Sequence, residues 1–200
     1  GLGLKDILRF LADGIAQHAE VLEREVRDPH PAYAGCGDFL HGEEFLIVTP
    51  AATIRRDLHW INGHIPDNAH AVAIDVTVSE SVLVVMGPEA RSFLQPMIPQ
   101  SLANDDFAFG TMQQIEIGHA VARAHRVTYV GELGWELHCP MPRLGELHDA
   151  LMQAGELHGI RRFGTYAMNS LRMEKAYKGW GSELTTEISL VESDMLRFAR

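Results

Sequence analysis

Apolar positions in the first twenty-six residues recur at helical intervals. Ile7, Leu8, Leu11, Ile15, Ala19, Leu22 and Val26 fall three or four apart with charges between them, which predicts one amphipathic helix over 4–26. Gly14 interrupts the run, at a cost of about 1 kcal/mol relative to alanine. Asp28-Pro29-His30-Pro31 ends it, since a residue before proline is driven out of the α region. The stretch 32–42, with Gly35, Gly37 and Gly42, reads as a loop. A helix and linker over 1–40 therefore precede a domain over 41–200.

Within that domain short apolar runs alternate with helical patterns. Phe45–Thr49 predicts a buried strand closed by Pro50. Ile54, Leu58, Ile61 and Ile65 predict a helix with Arg55, Arg56 and Asp57 toward water. Ala71–Val78 and Val82–Val85 read as two strands joined by Ser79-Glu80-Ser81. Pro88 then opens a helix that turns Ala90, Phe93 and Leu94 inward before Pro96 and Pro99 stop it. Gln113–Val130 is strand-like with a turn at Gly118, and Gly131-Glu132-Leu133-Gly134 leads into a strand over Trp135–Cys139. Leu144, Leu147, Leu151 and Leu157 mark a further helix, and Phe163–Tyr177 another. The strands neighbour one another as hairpins do, so the pattern predicts an α+β fold with mixed or antiparallel sheets and packed helices.

Composition narrows the function. With 46% hydrophobic and 22% charged residues in 200, the chain has the makings of a packed core, not of a disordered segment. Seventeen Lys and Arg against 27 Asp and Glu give a net charge of −10, which leaves no basic footprint for nucleic acid. Cys36 and Cys139 are too few for a disulfide framework and suit a reducing compartment. No apolar run approaches the roughly 18–20 residues of a membrane span, and no secretory leader is evident. A cytoplasmic location, or the mitochondrial matrix in a eukaryote, is expected. The eleven histidines are scattered without metal-ligand spacing, so no metal is predicted. Gly1-Leu2-Gly3 lacks the strand and third glycine of a dinucleotide fingerprint.

Two segments carry candidate chemistry. In Arg126–Glu136, a two-glycine turn can bring Tyr129 and Glu136 to one place if each lies on a flanking strand. A carboxylate beside an aromatic ring suits a flat heterocycle, because it accepts a coplanar pair of N–H bonds. Tyr and Trp around a hairpin are more often there for simple packing. In Phe163–Gly181, Arg172 either holds a ligand carboxylate or is a solvated helix charge.

Together the segments resemble a known family. Tyr129-Val130-Gly131-Glu132-Leu133-Gly134-Trp135-Glu136 is similar to the Tyr-x-Gly-Glu-x-Gly-x-Glu signature of the aminomethyltransferase (glycine-cleavage T-protein) superfamily. Phe163-Gly164-Thr165-Tyr166-Ala167-Met168-Asn169, then Leu171-Arg172, Glu174-Lys175 and Trp180-Gly181, resembles the matching segment of the folate module at the C-terminal end of dimethylglycine and sarcosine dehydrogenases. Fainter likeness runs through Phe45–Thr49, Arg56–Ile61 and Met86-Gly87-Pro88, so about residues 40–190 are covered.

The resemblance implies an α+β tetrahydrofolate-binding domain. It would accept a one-carbon unit from an oxidised N-methyl glycine and form 5,10-methylene-tetrahydrofolate. FAD would sit on a missing domain or on a partner oxidase chain. Glu136 would bind the pterin amino and ring N–H groups, with Tyr129 and Tyr177 lining the pocket and Arg172 nearby. T-proteins carry another arginine where this chain has Met168, as the dimethylglycine branch does. The family's catalytic aspartate precedes the strand matched by Phe45–Thr49; here Asp38 is the nearest candidate, out of register. The chain stops at Arg200, where the family continues into a barrel, so a C-terminally truncated member is expected. The alternative is a non-catalytic regulatory or scaffold protein of the same fold. The superfamily's iron–sulfur branch ranks last, because Lys175-Ala176-Tyr177-Lys178-Gly179 lacks its cysteine.

Overall fold

The structure, a computed structural model, describes residues 37–41, 44–69, 71–179, 181–185 and 187–195. The predicted helix over 4–26 lies outside them. Two compact units emerge, one from the described parts of Gly1–Asp75 with Gly179–Arg200, the other from Val76–Lys178.

In the first unit β1 (Gly37–His41) and β2 (Glu44–Ile47) form an antiparallel hairpin that pairs Asp38 with Leu46. The strand expected over Phe45–Thr49 thus ends at Ile47, and it is not buried: Leu46 and Ile47 are half-buried and Val48 is exposed. Helix α1 (Ile54–His64) follows where the periodicity puts it, and buries Ile61 against Ile47, Trp60, Ile65, Ala69, Ala71 and Ala73. Asp57 departs from expectation. It is only 4% exposed and accepts hydrogen bonds from the Thr53 hydroxyl and the Arg56 guanidinium in the helix's first turn. A carboxylate there also faces the positive end of the helix dipole, which compensates for its burial.

The second unit is a four-stranded antiparallel sheet with helices on one face. Its strands are β3 (Glu80–Met86), β4 (Met112–Ile117), β5 (Ala120–His125) and β6 (Gly134–Pro140), in the order β3-β6-β5-β4. Leu83 and Val85 of β3, Trp135, Leu137 and Cys139 of β6, the alanines of β5 and Ile115 and Ile117 of β4 share one face. Helices α2 (Ala90–Leu94) and α3 (Leu144–Gly155) cover that face with Ala90, Phe93, Leu94, Leu147 and Leu151. Helix α4 (Thr165–Glu174) completes four α-helices among the described residues. The α+β class read from the sequence is the one observed.

Three local expectations give way. Residues 71–78 form no strand, and Val72, Ile74, Val76 and Val78 are exposed. Their β-propensity finds no ladder among the described residues, and propensity without a paired neighbour does not make a strand. The supposed turn at Ser79-Glu80-Ser81 is instead the start of β3, since Glu80 and Ser81 pair with Pro140 and Cys139. Leu157 lies past α3 and is fully exposed.

Leu137 lies fully buried at the middle of the apolar face. Leu137→Ala is expected to lower the unfolding free energy by about 2–5 kcal/mol, measured by urea denaturation. Val82→Ala, at an exposed position of the opposite face, should change it by no more than about 0.5 kcal/mol.

Candidate functional site

The site grows from the loop between β5 and β6. Arg126 anchors its start, donating to the Phe107 carbonyl and, at 2.8 Å, to Asn104 Oδ1. Burial and the neighbouring Arg91 lower the pKa of this guanidinium. The Thr128 hydroxyl accepts from the Gly131 amide at 2.9 Å, and Gly131 takes a left-handed φ of +79°. Glu132 pairs with Lys175 at 3.2 Å, and the Gly87 amide donates to the Leu133 carbonyl at 2.8 Å. Gly134 then enters β6 opposite Met86, where a Cβ would stand 2.3 Å from the Val85 carbonyl oxygen. The second glycine of the motif is required by that backbone approach.

Tyr129 is therefore a loop residue four positions beyond the end of β5, not the last residue of a strand. It joins Arg172 and Tyr177. Arg172 is 5% exposed, and its guanidinium donates to Asn169 Oδ1 at 2.9 Å and to the Tyr177 carbonyl at 2.8 Å, while lying 5.7 Å from the centre of the Tyr129 ring. The chain turns back after α4 through Ala176 at φ +57°, and the Tyr177 amide donates to the Arg172 carbonyl at 3.0 Å. Of the two roles the sequence left open, a solvated helix charge is excluded: Arg172 is a buried clamp that holds both tyrosines' segments. Much of the rest of that motif is at the surface, with Tyr166 93% exposed.

Glu136 stands on the other face of the sheet from the apolar core. Antiparallel register aligns Val84 of β3, Glu136 of β6 and His125 of β5 in one row, and Val82, His138 and Arg123 in the next. Glu136 and Arg123 are half-buried, His125 and His138 buried. Glu136 Oε2 lies 3.6 Å from His138 Nε2, too far for a hydrogen bond. Arg123 pairs with Glu80 at 2.8 Å. Sequence reading singled out Glu136 and missed its three neighbours. The signal was there, as residues two apart on a strand share a face: His138 follows Glu136, and Arg123 precedes His125, by two.

Asp38 lies on β1, in the first unit. Among the described residues no group of three or more His, Cys, Asp or Glu side chains converges as a metal site would need, and no helix is long and apolar enough to cross a membrane.

The GCVT N-terminal domain family matches residues 39–200. Mitochondrial dimethylglycine dehydrogenase of Homo sapiens is 37% identical over 158 residues, which cover 78% of this chain and 18% of that protein. Mitochondrial sarcosine dehydrogenase of Homo sapiens is 34% identical over 155 residues, 77% of this chain and 17% of that one. An aminomethyltransferase of Bacillus cereus (strain B4264) is 28% identical over 151 residues, 76% of this chain and 40% of its own. The chain thus spans less than a fifth of the length of the two dehydrogenases. Among solved structures, a chain of the heterotetrameric sarcosine oxidase from Corynebacterium sp. U-96, in complex with pyrrole 2-carboxylate, superposes with a TM-score of 0.55 at 15% identity, over 82% of this chain and 78% of that one. That likeness concerns the fold.

Two predictions follow from the loop and the clamp. Gly134→Ala should lower stability by about 1–3 kcal/mol through overpacking against backbone. Gly131→Ala forces a left-handed alanine whose Cβ would stand 2.2 Å from Lys175 Cγ. Adding Lys175→Ala should recover part of the loss at 131 and none at 134, read by thermal unfolding. Arg172→Lys keeps the charge and loses the fork, and should cost about 1.5–3 kcal/mol with a changed near-ultraviolet tyrosine dichroism.

Proposed function

This chain belongs to the GCVT N-terminal domain family, and from that premise we propose that its Val76–Lys178 unit binds the pterin of tetrahydrofolate at Glu136 within a one-carbon-transfer protein of the dimethylglycine and sarcosine dehydrogenase class. The observation that carries the proposal is a half-buried carboxylate set in the middle of a sheet face, with no basic side chain among the described residues closer to it than His138 at 3.6 Å. Glu136 therefore keeps acceptor capacity for a ligand. An ionised carboxylate offers about four lone-pair sites, and two coplanar N–H donors of a 2-aminopterin fit its two oxygens.

The residues present fit that ligand. Glu136 would hold the amino and ring N–H edge. Tyr129 and Tyr177, kept in place by Arg172, would supply aromatic lining, so Arg172 acts through them and not as a ligand contact. Bound tetrahydrofolate supplies the nitrogens that take a one-carbon unit, derived from an oxidised N-methyl glycine, to give 5,10-methylene-tetrahydrofolate. FAD belongs to a further domain or to a partner oxidase chain, and the compartment is reducing, cytoplasmic or, in a eukaryote, the mitochondrial matrix. A second reading, folate binding without transfer in a regulatory or scaffold protein, is favoured by the displacement of Asp38 from the family's aspartate register.

Thermal unfolding with reduced folate tests the binding claim. At about 100 times the dissociation constant a ligand adds roughly 2.7 kcal/mol, a rise of about 5–10 °C for a chain of this size. The rise should vanish in Glu136→Gln, which removes the charge and turns one acceptor into a donor. No rise in the folded wild-type chain would refute the pterin site. Methylene transfer by the wild type would decide against the scaffold reading.

A further inference from the structure

His138 is 5% exposed, and its Nε2 is buried with no hydrogen-bond partner among the described residues. A buried polar group left unpaired costs about 1–3 kcal/mol, so this nitrogen is unfinished without something to meet it. Glu136 Oε2 lies 3.6 Å away, short of bonding but close enough to decide which tautomer the ring adopts. A lone pair on Nε2 would face a carboxylate oxygen and be repelled; an N–H is attracted. Nε2 is therefore a donor, oriented on the same sheet face as Glu136 by the two-residue repeat of β6. Its cross-strand neighbour Arg123 commits Nη2 to Glu80 and also leaves Nε buried without a partner.

Read along the strand, the face offers two carboxylate acceptors and then a donor. The complement is a planar edge that presents donor, donor, acceptor. A 2-amino-4-oxo pyrimidine ring carries that order: exocyclic amine, ring N–H, carbonyl. We propose that His138 Nε2 donates to the ring carbonyl next to the edge held by Glu136, so that the pair selects a 4-oxo over a 4-amino heterocycle. The proposal rests on the pterin reading of Glu136 and adds the residue that sets ring specificity. Selection by a paired polar group is steep, because the wrong ring leaves the donor buried and unmatched.

The test is calorimetric titration of the full chain with tetrahydrofolate and with its 4-amino-4-deoxy analogue, using wild type, His138→Leu and His138→Gln. His138→Leu should weaken the 4-oxo ligand about tenfold, the loss of one buried hydrogen bond, and leave the 4-amino ligand within about twofold. His138→Gln restores an N–H donor and should recover most of the 4-oxo affinity, which a purely structural role for the ring would not produce. Equal loss of both ligands in His138→Leu without rescue by glutamine, or no loss of either, overturns the role of His138 while leaving the pterin site standing. Failure of the wild-type chain to bind either ligand overturns the pterin site, and this proposal with it.

Discussion

Strand β6 imposes one constraint on everything around it: its side chains alternate. Trp135, Leu137 and Cys139 go down into the core, and Glu136 and His138 go up. A slip of one residue would put the carboxylate in the apolar layer and the tryptophan on the polar face. Gly134 fixes the register, because a Cβ there would stand 2.3 Å from the Val85 carbonyl oxygen and no side chain fits. The core thus holds the site in place, and the cost of burying a charge in the wrong face guards the core.

A second anchor acts on the aromatic half. Arg172 is a cation inside the protein, and burial of a charge is costly unless its donors are used. Two donors go to Asn169 and to the Tyr177 carbonyl, and the guanidinium carbon lies 5.7 Å from the centre of the Tyr129 ring. An arginine suits this place because its rigid fork meets two acceptors at once, where a lysine would meet them loosely. The loop that carries Tyr129 and the turn that carries Tyr177 are thereby tied to one helix. Lys175, on the same turn, reaches Glu132 of that loop.

Much of this was legible in the chain. The helix over Ile54–His64, the turn at Gly118 and a strand through Trp135–Cys139 follow from periodicity and glycine placement. What misled was composition without context. Val72, Ile74, Val76 and Val78 alternate as a strand should, yet a strand exists only where a neighbour offers its hydrogen-bond ladder. Asp57 looked solvated because carboxylates usually are, but the Thr53 hydroxyl and Arg56 at the head of α1 make its burial tolerable. Tyr129 looked like the end of a strand because the aromatic and β-branched run continued past His125; the pairing stops there. The cluster around Glu136 was missed because it is assembled across strands. Register, not sequence spacing, sets His125 beside Glu136 and Arg123 beside His138.

The placement of polarity across the sheet is itself informative. On the face away from the core the valines Val82 and Val84 sit on the edge strand and are exposed, while Arg123, His125, Glu136 and His138 occupy the two strands further in and are half-buried or buried. A sequence selected for stability alone would do the reverse, with apolar residues under cover and charges at the rim. Interior polarity of this kind lowers the stability of the free chain, and a donor left unpaired lowers it further. On the proposed reading, the partner of His138 Nε2 comes from the ligand. The middle of a paired strand is well-braced backbone, so on that reading the groups proposed to match a ring edge are fixed before it arrives.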